Sequence, residues 1–266
     1  MFSIITANWN GEKLLKIFLK SLINQTYKDF KLYLVDNGST DNSIEIIKKY
    51  QNKLNIEVIK LEKNFGFAKA NNIGINRAMS DKNEYIITLN NDIELDKNCL
   101  AKLKENINTL KNEYDVFQIL LLNYYERNKI DAAGISFNKY YLPRQVGYNK
   151  PIDFIIQYNN KIEGVCAGAA VYSKKCLNAV KFNNEYFDSK FFAYYEDVDL
   201  SLRLIKAGFK SYLIKDAIGY HIHSATGGKN TYFKSYFLSR NLHLYLKKNL
   251  DSNLYKKTKI YIILFC

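Results

Sequence analysis

Apolar positions in the first ninety residues fall into two alternating patterns. Phe2–Ala7, Phe30–Asp36, Asn55–Lys60 and Glu84–Leu89 are short apolar runs of strand length. Between them, Leu15, Phe18, Leu19 and Leu22 repeat with a helical period in Glu12–Asn24, and shorter helices are expected from about Asn42 to Tyr50 and over Ala68–Ala78. Strand and helix alternation predicts an α/β fold with a mainly parallel sheet and right-handed crossovers. In such sheets ligands bind at the carboxyl ends of the strands. Three strands end in polar clusters, Asn8-Trp9-Asn10, Asp36-Asn37 and Asn90-Asn91-Asp92, which should gather along one edge.

The second half is less regular. Val116–Leu122 and Val165–Val171 read as strands, Asp131–Lys150 as strands or loops, and Ser211–Ile214 as a strand. A helix should open at Glu196-Asp197 and run to about Ala207, stopped by Gly208, and Tyr232–Lys248 is helical in pattern. The apolar end Ile260–Cys266, after Lys256-Lys257-Thr258-Lys259, suits a last strand, a membrane-touching edge or a cut-off longer segment. No Gly/Ser/Pro linker or repeat divides the chain, which reads as one domain with two lobes.

Composition narrows the classes. With 47% hydrophobic and 24% charged residues in 266, the chain can bury a sizeable core, which excludes disordered and fibrous classes. A net charge of +13 favours anionic partners. Cys99, Cys166, Cys176 and Cys266 form no C-x-x-C pair, so reduced thiols are expected rather than a zinc site or a disulfide framework. The opening Phe2-Ser3-Ile4-Ile5 lacks the pattern of a secretory signal, and no run reaches the roughly 18 apolar residues of a membrane span, so a cytoplasmic location is expected.

The candidate chemistry is carried by carboxylates. Neither G-x-G-x-x-G after the first strand nor a P-loop is present, which argues against a dinucleotide dehydrogenase or P-loop NTPase. Asp36 suits either a turn or a nucleotide pocket, where a carboxylate accepts hydrogen bonds from base or ribose. Asp92 suits either a turn or a Mg2+ or Mn2+ ligand. Glu196, Asp197 and Asp199 complement a helix N-terminus, and Asp199 should pair with Arg203. The aromatic approach Phe191–Tyr195 would also raise a carboxylate pKa and suit a general base. His221 and His223 are candidate metal ligands or simple hydrogen-bonding groups; His243 reads as structural.

Taken together, Thr6-Ala7-Asn8-Trp9-Asn10-Gly11, Leu34–Asp41, Asn64-Phe65-Gly66-Phe67-Ala68 with Asn71–Gly74, Leu89–Asp92, and Tyr195–Arg203 with Gly208 resemble family 2 glycosyltransferases of GT-A fold. The likeness covers roughly Phe2 to Leu213 and is strongest to the rhamnosyltransferase-like subgroup, a label that does not define the sugar. It implies a GT-A catalytic region over 1–215, with a nucleotide-sugar half (1–110) merged with a smaller acceptor half (111–215), and a basic, aromatic helical extension over 216–266. It implies inverting transfer from a UDP- or dTDP-linked sugar to a hydroxyl of a glycan or lipid-linked saccharide. Asp36 would hold the base, Thr6, Ala7 and Asn8 the pocket wall, Asn64 and Gly66 the nucleotide edge, with Asn90 and Asn91 beside them. Asp92 and His221 would bind Mg2+ or Mn2+, although Asn90 stands where the family's metal motif has an Asp and carries no charge. Asp197 would be the catalytic base, with Glu196 beside it as helper or acceptor binder, and Arg240-Asn241 matches a pair seen in the subgroup.

Two other readings compete. A sugar nucleotidyltransferase would carry a Gly-rich basic loop after the first strand, which Asn8–Gly11 matches poorly. A nucleic-acid-binding protein would suit the charge, but the basic residues are dispersed and no recognition module is present, so no nucleic acid is expected. The basic, aromatic C-terminal third suits either a solvated face or peripheral docking on an anionic membrane at the inner face of the cell envelope, where a lipid-diphosphate acceptor would lie.

Overall fold

A computed structural model describes residues 2–222 and 231–265. In chain order the elements are β1 (Phe2–Asn8), α1 (Glu12–Ile23), β2 (Phe30–Asp36), α2 (Ser43–Tyr50), β3 (Ile56–Lys60), α3 (Gly66–Ala78), β4 (Tyr85–Leu89), β5 (Ile93–Leu95), α4 (Cys99–Leu110) and β6 (Val116–Asn123). There follow β7 (Ile130–Ala132), β8 (Ile135–Phe137), β9 (Pro143–Gln145), α5 (Asp153–Gln157), β10 (Lys161–Ile162), β11 (Ala169–Ser173), α6 (Lys174–Ala179), α7 (Glu196–Lys206), β12 (Ser211–His221), α8 (Thr231–Asn249) and α9 (Ser252–Phe265).

The main sheet runs β10-β12-β6-β11-β4-β1-β2-β3. Strands β3, β2, β1 and β4 are mutually parallel, as the alternation of strand and helix predicts. Antiparallel β11 joins this half to the parallel pair β6–β12. Each central strand divides its side chains between two cores. Phe2 and Ile4 of β1, Leu32 and Leu34 of β2, and Phe117, Ile119 and Leu121 of β6 face α1, α2 and α4. Ile5, Tyr33, Val116 and Leu120 face α3, α6 and α7. Gly74 of α3 is required by this packing, since a Cβ there would lie 2.5 Å from Ile5 Cγ2.

Several expectations are corrected. Strand β11 starts at Ala169, not Val165, because the N–H groups of Val165, Cys166 and Ala167 are taken by Ser201 Oγ, Gln118 Oε1 and Asp197 Oδ2 instead of a neighbouring strand. Strand β12 extends seven residues past Ile214 through an irregularity between Ile214 and Ile218, and so runs across residue 215. The C-terminal apolar run belongs to a helix, α9, rather than a last strand. Helix α4 and strand β5 form where no element is expected; Leu100, Leu103 and Ile107 of α4 are nonetheless fully buried. Cys99, Cys166 and Cys176 are free thiols, as expected.

Helices α8 and α9 close a third, smaller core. There Tyr245 and Leu246 meet Val198 and Leu202 of α7 and Phe191 before it. Among the described residues no helix is long and apolar enough to cross a membrane.

Candidate active site

The three polar strand ends do converge, and Asn8 joins them. At the end of β1 its amide Nδ2 donates to Asp36 Oδ1 at 3.2 Å and to Ser39 Oγ at 3.2 Å, while its Oδ1 accepts from Asn91 Nδ2 at 2.7 Å. Asn8 is fully buried and Asp36 4% exposed, so the carboxylate is oriented before any ligand arrives. The Ser39 N–H donates to Asp36 Oδ2 at 3.3 Å. Gly11 sits against this cluster, where a Cβ would lie 2.2 Å from Asn8 Oδ1. Thr6 lies deeper in β1, fully buried, and Ala7 is half-buried.

Asn64 and Gly66 are tied to the same edge through Asn37, a residue whose role sequence reasoning did not isolate. Asn37 Nδ2 donates to Asn64 Oδ1 at 2.9 Å and Gly66 O at 3.2 Å, and its Oδ1 accepts from the Phe65 N–H. Gly66 has φ +85° at the start of α3, and a Cβ there would lie 2.6 Å from Phe192. An L side chain is thus doubly disfavoured.

Beyond β4, Asp92 faces His221 at the end of β12, with Asp92 Oδ1 3.1 Å from His221 Nε2. His221 Nδ1 lies 2.6 Å from Asp131 Oδ2 on β7. Asp131 was missed in the sequence; the one signal was an acidic residue inside the apolar run Ile130-Asp131-Ala132-Ala133, all buried. Burial works to lower the His221 pKa, but its bonds to Asp131 and Asp92 override this and raise it to about 10. Asp92 Oδ1 has no hydrogen-bond partner among the described residues, so its approach to Nε2 is an ion-pair contact that leaves the oxygen available. A divalent cation placed between them would find Nε2 and Asp92 as ligands, with Asp131 orienting the ring as a carboxylate commonly orients a metal-bound histidine. Among the described residues no three such side chains are arranged to hold a metal, so diphosphate oxygens and water would complete the coordination shell. The donor set therefore fits a divalent ion held jointly with a diphosphate. His223 lies outside the described residues, and His243 is exposed on α8.

The second carboxylate pair opens α7. Asp197 Oδ2 accepts from the Ala167 N–H at 3.1 Å and Oδ1 from Val198 N–H at 2.8 Å. One residue along the same loop, Gly168 O accepts from the Asn90 N–H at 2.8 Å, so one short segment ties Asp197 to the metal-motif turn. Burial raises the Asp197 pKa and the backbone donors oppose it. Glu196 is 5% exposed and its Oε2 has no hydrogen-bond partner among the described residues. Burial, reinforced by the Asp197 charge, pushes its pKa well above the usual range. Burial therefore raises both carboxyl groups, and the Asp197 charge adds to the rise at Glu196. Asp199 points elsewhere: fully buried, it accepts from Arg203 Nε at 2.9 Å, as its spacing predicts, and from Lys248 Nζ at 3.0 Å and Asn249 Nδ2 at 2.9 Å.

An open groove of about 550 Å3 borders this edge, lined by Asn10, Gly11, Asp41, Tyr124, Tyr125 and Ile222 among others.

The profile described as glycosyl transferase family 2 matches residues 3–181. The poly(ribitol-phosphate) beta-N-acetylglucosaminyltransferase TarS of Staphylococcus aureus is 34% identical over 102 residues, which is 37% of this chain and 17% of TarS. The chain thus matches less than a fifth of that relative's length. The crystal structure of S. aureus TarS 1-349 in complex with UDP superposes with a TM-score of 0.63 at 21% identity, covering 97% of this chain and 69% of that one. The mannosyltransferase PcManGT from Pyrobaculum calidifontis, in complex with GDP-Man and Mn2+, superposes with a TM-score of 0.66 at 11% identity, covering 99% and 70%. These neighbours have the GT-A fold, and so does this chain.

Proposed function

Since the chain belongs to glycosyl transferase family 2, we propose that it is an inverting glycosyltransferase. It would move a sugar from a UDP- or dTDP-linked donor to a hydroxyl of a glycan or lipid-linked saccharide in cell-surface polymer synthesis. The observation that carries this reading is the single hydrogen-bonded edge on which Asn8 joins Asp36 to Asn91 and the 166–168 loop joins Asn90 to Asp197. Base recognition, diphosphate and proton acceptor would then lie along one line. The relatives support the class: TarS carries the name of a polymer-modifying sugar transferase, and a TarS structure is described with UDP.

Asp36 accepts hydrogen bonds from the nucleoside, and Asn64 and Gly66 form its edge. Asp197 takes the proton of the acceptor hydroxyl as the oxygen attacks the anomeric carbon from the face opposite the diphosphate, and the bond to that leaving group breaks. A carboxylate with a raised pKa is the stronger proton acceptor, and its two backbone donors hold it in place. Burial favours the protonated form of Glu196, which has a proton to donate to an acceptor oxygen. Asp92 and His221 are the residues that would hold Mg2+ or Mn2+, which supplies charge neutralisation on the leaving diphosphate. Helices α8 and α9 would rest on an anionic membrane, the source of a lipid-diphosphate acceptor.

The experiment is a pair of measurements on Asp197→Asn. Transfer from the UDP or dTDP donor should fall at least about 1000-fold, the scale of a lost general base, while the thermal stabilisation by that nucleotide, with and without Mn2+, stays as in the native chain. Parallel loss of transfer and nucleotide binding removes Asp197 from the base role. Absence of any shift with UDP, dTDP, GDP or CDP removes the transferase reading.

A further inference from the structure

We propose that Arg240 and Asn241 of α8 are positioning residues for this transfer, holding the turn that aims Glu196 and Asp197. This rests on the transferase reading above. The turn is unusual: Phe192, Tyr194 and Tyr195 have φ of 66°, 70° and 72°, and Glu196 follows directly. Three non-glycine residues in the left-handed region within four positions persist only where the surroundings over-determine them.

Asn241 supplies that constraint. It is fully buried, and its Nδ2 lies 2.8 Å from Phe191 O, 2.7 Å from Ala193 O and 2.7 Å from Tyr194 O. Two amide hydrogens therefore gather the carbonyls of Phe191, Ala193 and Tyr194 on one side chain. Arg240 orients the amide, donating from Nε to Asn241 Oδ1 at 2.9 Å, and grips the same strand of chain through Nη2 to Lys190 O at 2.6 Å and Phe191 O at 3.0 Å. On the other side the turn abuts the donor edge. The Ala68 N–H donates to Phe192 O at 3.2 Å, and the missing Cβ of Gly66 leaves room for the Phe192 ring. Phe192 in turn stacks on Phe237 of α8 at 5.2 Å and 18°. The turn is thus wedged between α3 and α8, with the proposed base as its next stop.

Attachment of α8 to the body does not explain Asn241. That task falls to the separate clamp about two turns later, where Lys248 and Asn249 meet Asp199. Asn241→Asp should therefore fold: it keeps the side-chain shape but removes both donors and turns an oxygen toward three carbonyls.

The test uses the full chain with its nucleotide-sugar donor. Asn241→Asp should lower kcat by about 100-fold or more while the donor KM and the UDP affinity stay within about twofold. Backbone amides of 192–199 should exchange with deuterium at least about tenfold faster, with β1 and residues 70–78 of α3 unchanged. In the Asn241→Asp background, Tyr194→Gly should restore about tenfold more turnover than Tyr194→Ala, because only glycine adopts the left-handed conformation without cost. Unchanged exchange at 192–199, equal turnover of the glycine and alanine variants, or a kcat loss matched by the UDP affinity would each overturn the proposal. Should Asn241→Asp not fold, Arg240→Lys, which keeps the charge and removes the fork, carries the same exchange measurement. A native chain that transfers no sugar would defeat the transferase reading, while the exchange result still decides whether the pair holds the turn.

Discussion

A single amide, Asn8, does at the strand ends what no carboxylate there could do, because it both donates and accepts. It gives a hydrogen bond to Asp36 and receives one from Asn91, so a negative and a neutral group are held at one edge without mutual repulsion. Glu196 illustrates the opposite economy, an acid buried with one oxygen unpartnered among the described residues. Its folded-state pKa is raised, so the folded chain binds this proton more tightly than the unfolded chain. Its stability contribution is complete below the unfolded value of about 4.3 and is lost as pH rises through the folded one. Glu196→Gln, which keeps the hydrogen and cannot ionise, should accordingly raise the melting temperature more at pH 8 than at pH 5. Scanning calorimetry at the two pH values checks this, and an equal change at both would contradict it. At this scale the sequence revealed the carboxylates, since Asp36, Asp92 and Asp197 each end a strand or open a helix. It concealed Asp131 and showed Asn37 only as part of a polar strand end; both draw their importance from partners 90 and 27 residues away along the chain.

Elements in this fold are positioned by buried polar clamps as much as by apolar packing. Helix α7 presents Leu200 and Leu204 to the sheet and Val198 and Leu202 to α8, so its two apolar stripes serve different cores. Between them Asp199 collects Arg203, Lys248 and Asn249, and Lys248 also meets Asp188 at 2.7 Å. Removing one partner of a buried ionic cluster leaves charge without compensation. Asp199→Ala should therefore cost roughly 3–5 kcal/mol, measurable as a lowered urea midpoint, with UDP affinity retained below the transition. A loss under about 1 kcal/mol would assign the α7–α8 junction to apolar contact alone. The elements that were legible are those whose pattern is local. The β1 to β4 alternation was plain because β1, β2 and β4 are almost wholly buried apolar runs, with β3 completing the pattern at the sheet edge. The 165–168 segment was not, because its residues are as apolar as a strand's and only the distant acceptors on Ser201, Gln118 and Asp197 withdraw it from the sheet. Helix α4 carries its apolar period amid Lys and Asn, too thin a stripe to stand out.

Over the whole molecule the charge is not evenly used. Residues 231–265 hold seven basic side chains against the single acid Asp251, and the exposed apolar residues collect there too: Tyr232 (87% exposed), Tyr236 (61%) and, on α9, Ile260 (58%) and Ile263 (76%). Lys256, Ile260 and Ile263 recur at helical spacing along one side of α9. Aromatic and aliphatic tips beside lysines match an interfacial helix, in which apolar groups enter the headgroup boundary and each basic residue adds about 1 kcal/mol against anionic lipid. The native chain should therefore float with vesicles containing phosphatidylserine and stay behind with purely zwitterionic ones. Ile260→Ser with Ile263→Ser should weaken flotation without changing the melting temperature, since both side chains already face solvent. Salt near 0.5 M should release the protein, because the screening length then falls to a few ångströms. Equal flotation with neutral lipid, or indifference to salt, would return these helices to the role of a solvated cover over α7, and a lipid-linked acceptor would lose its support from this surface.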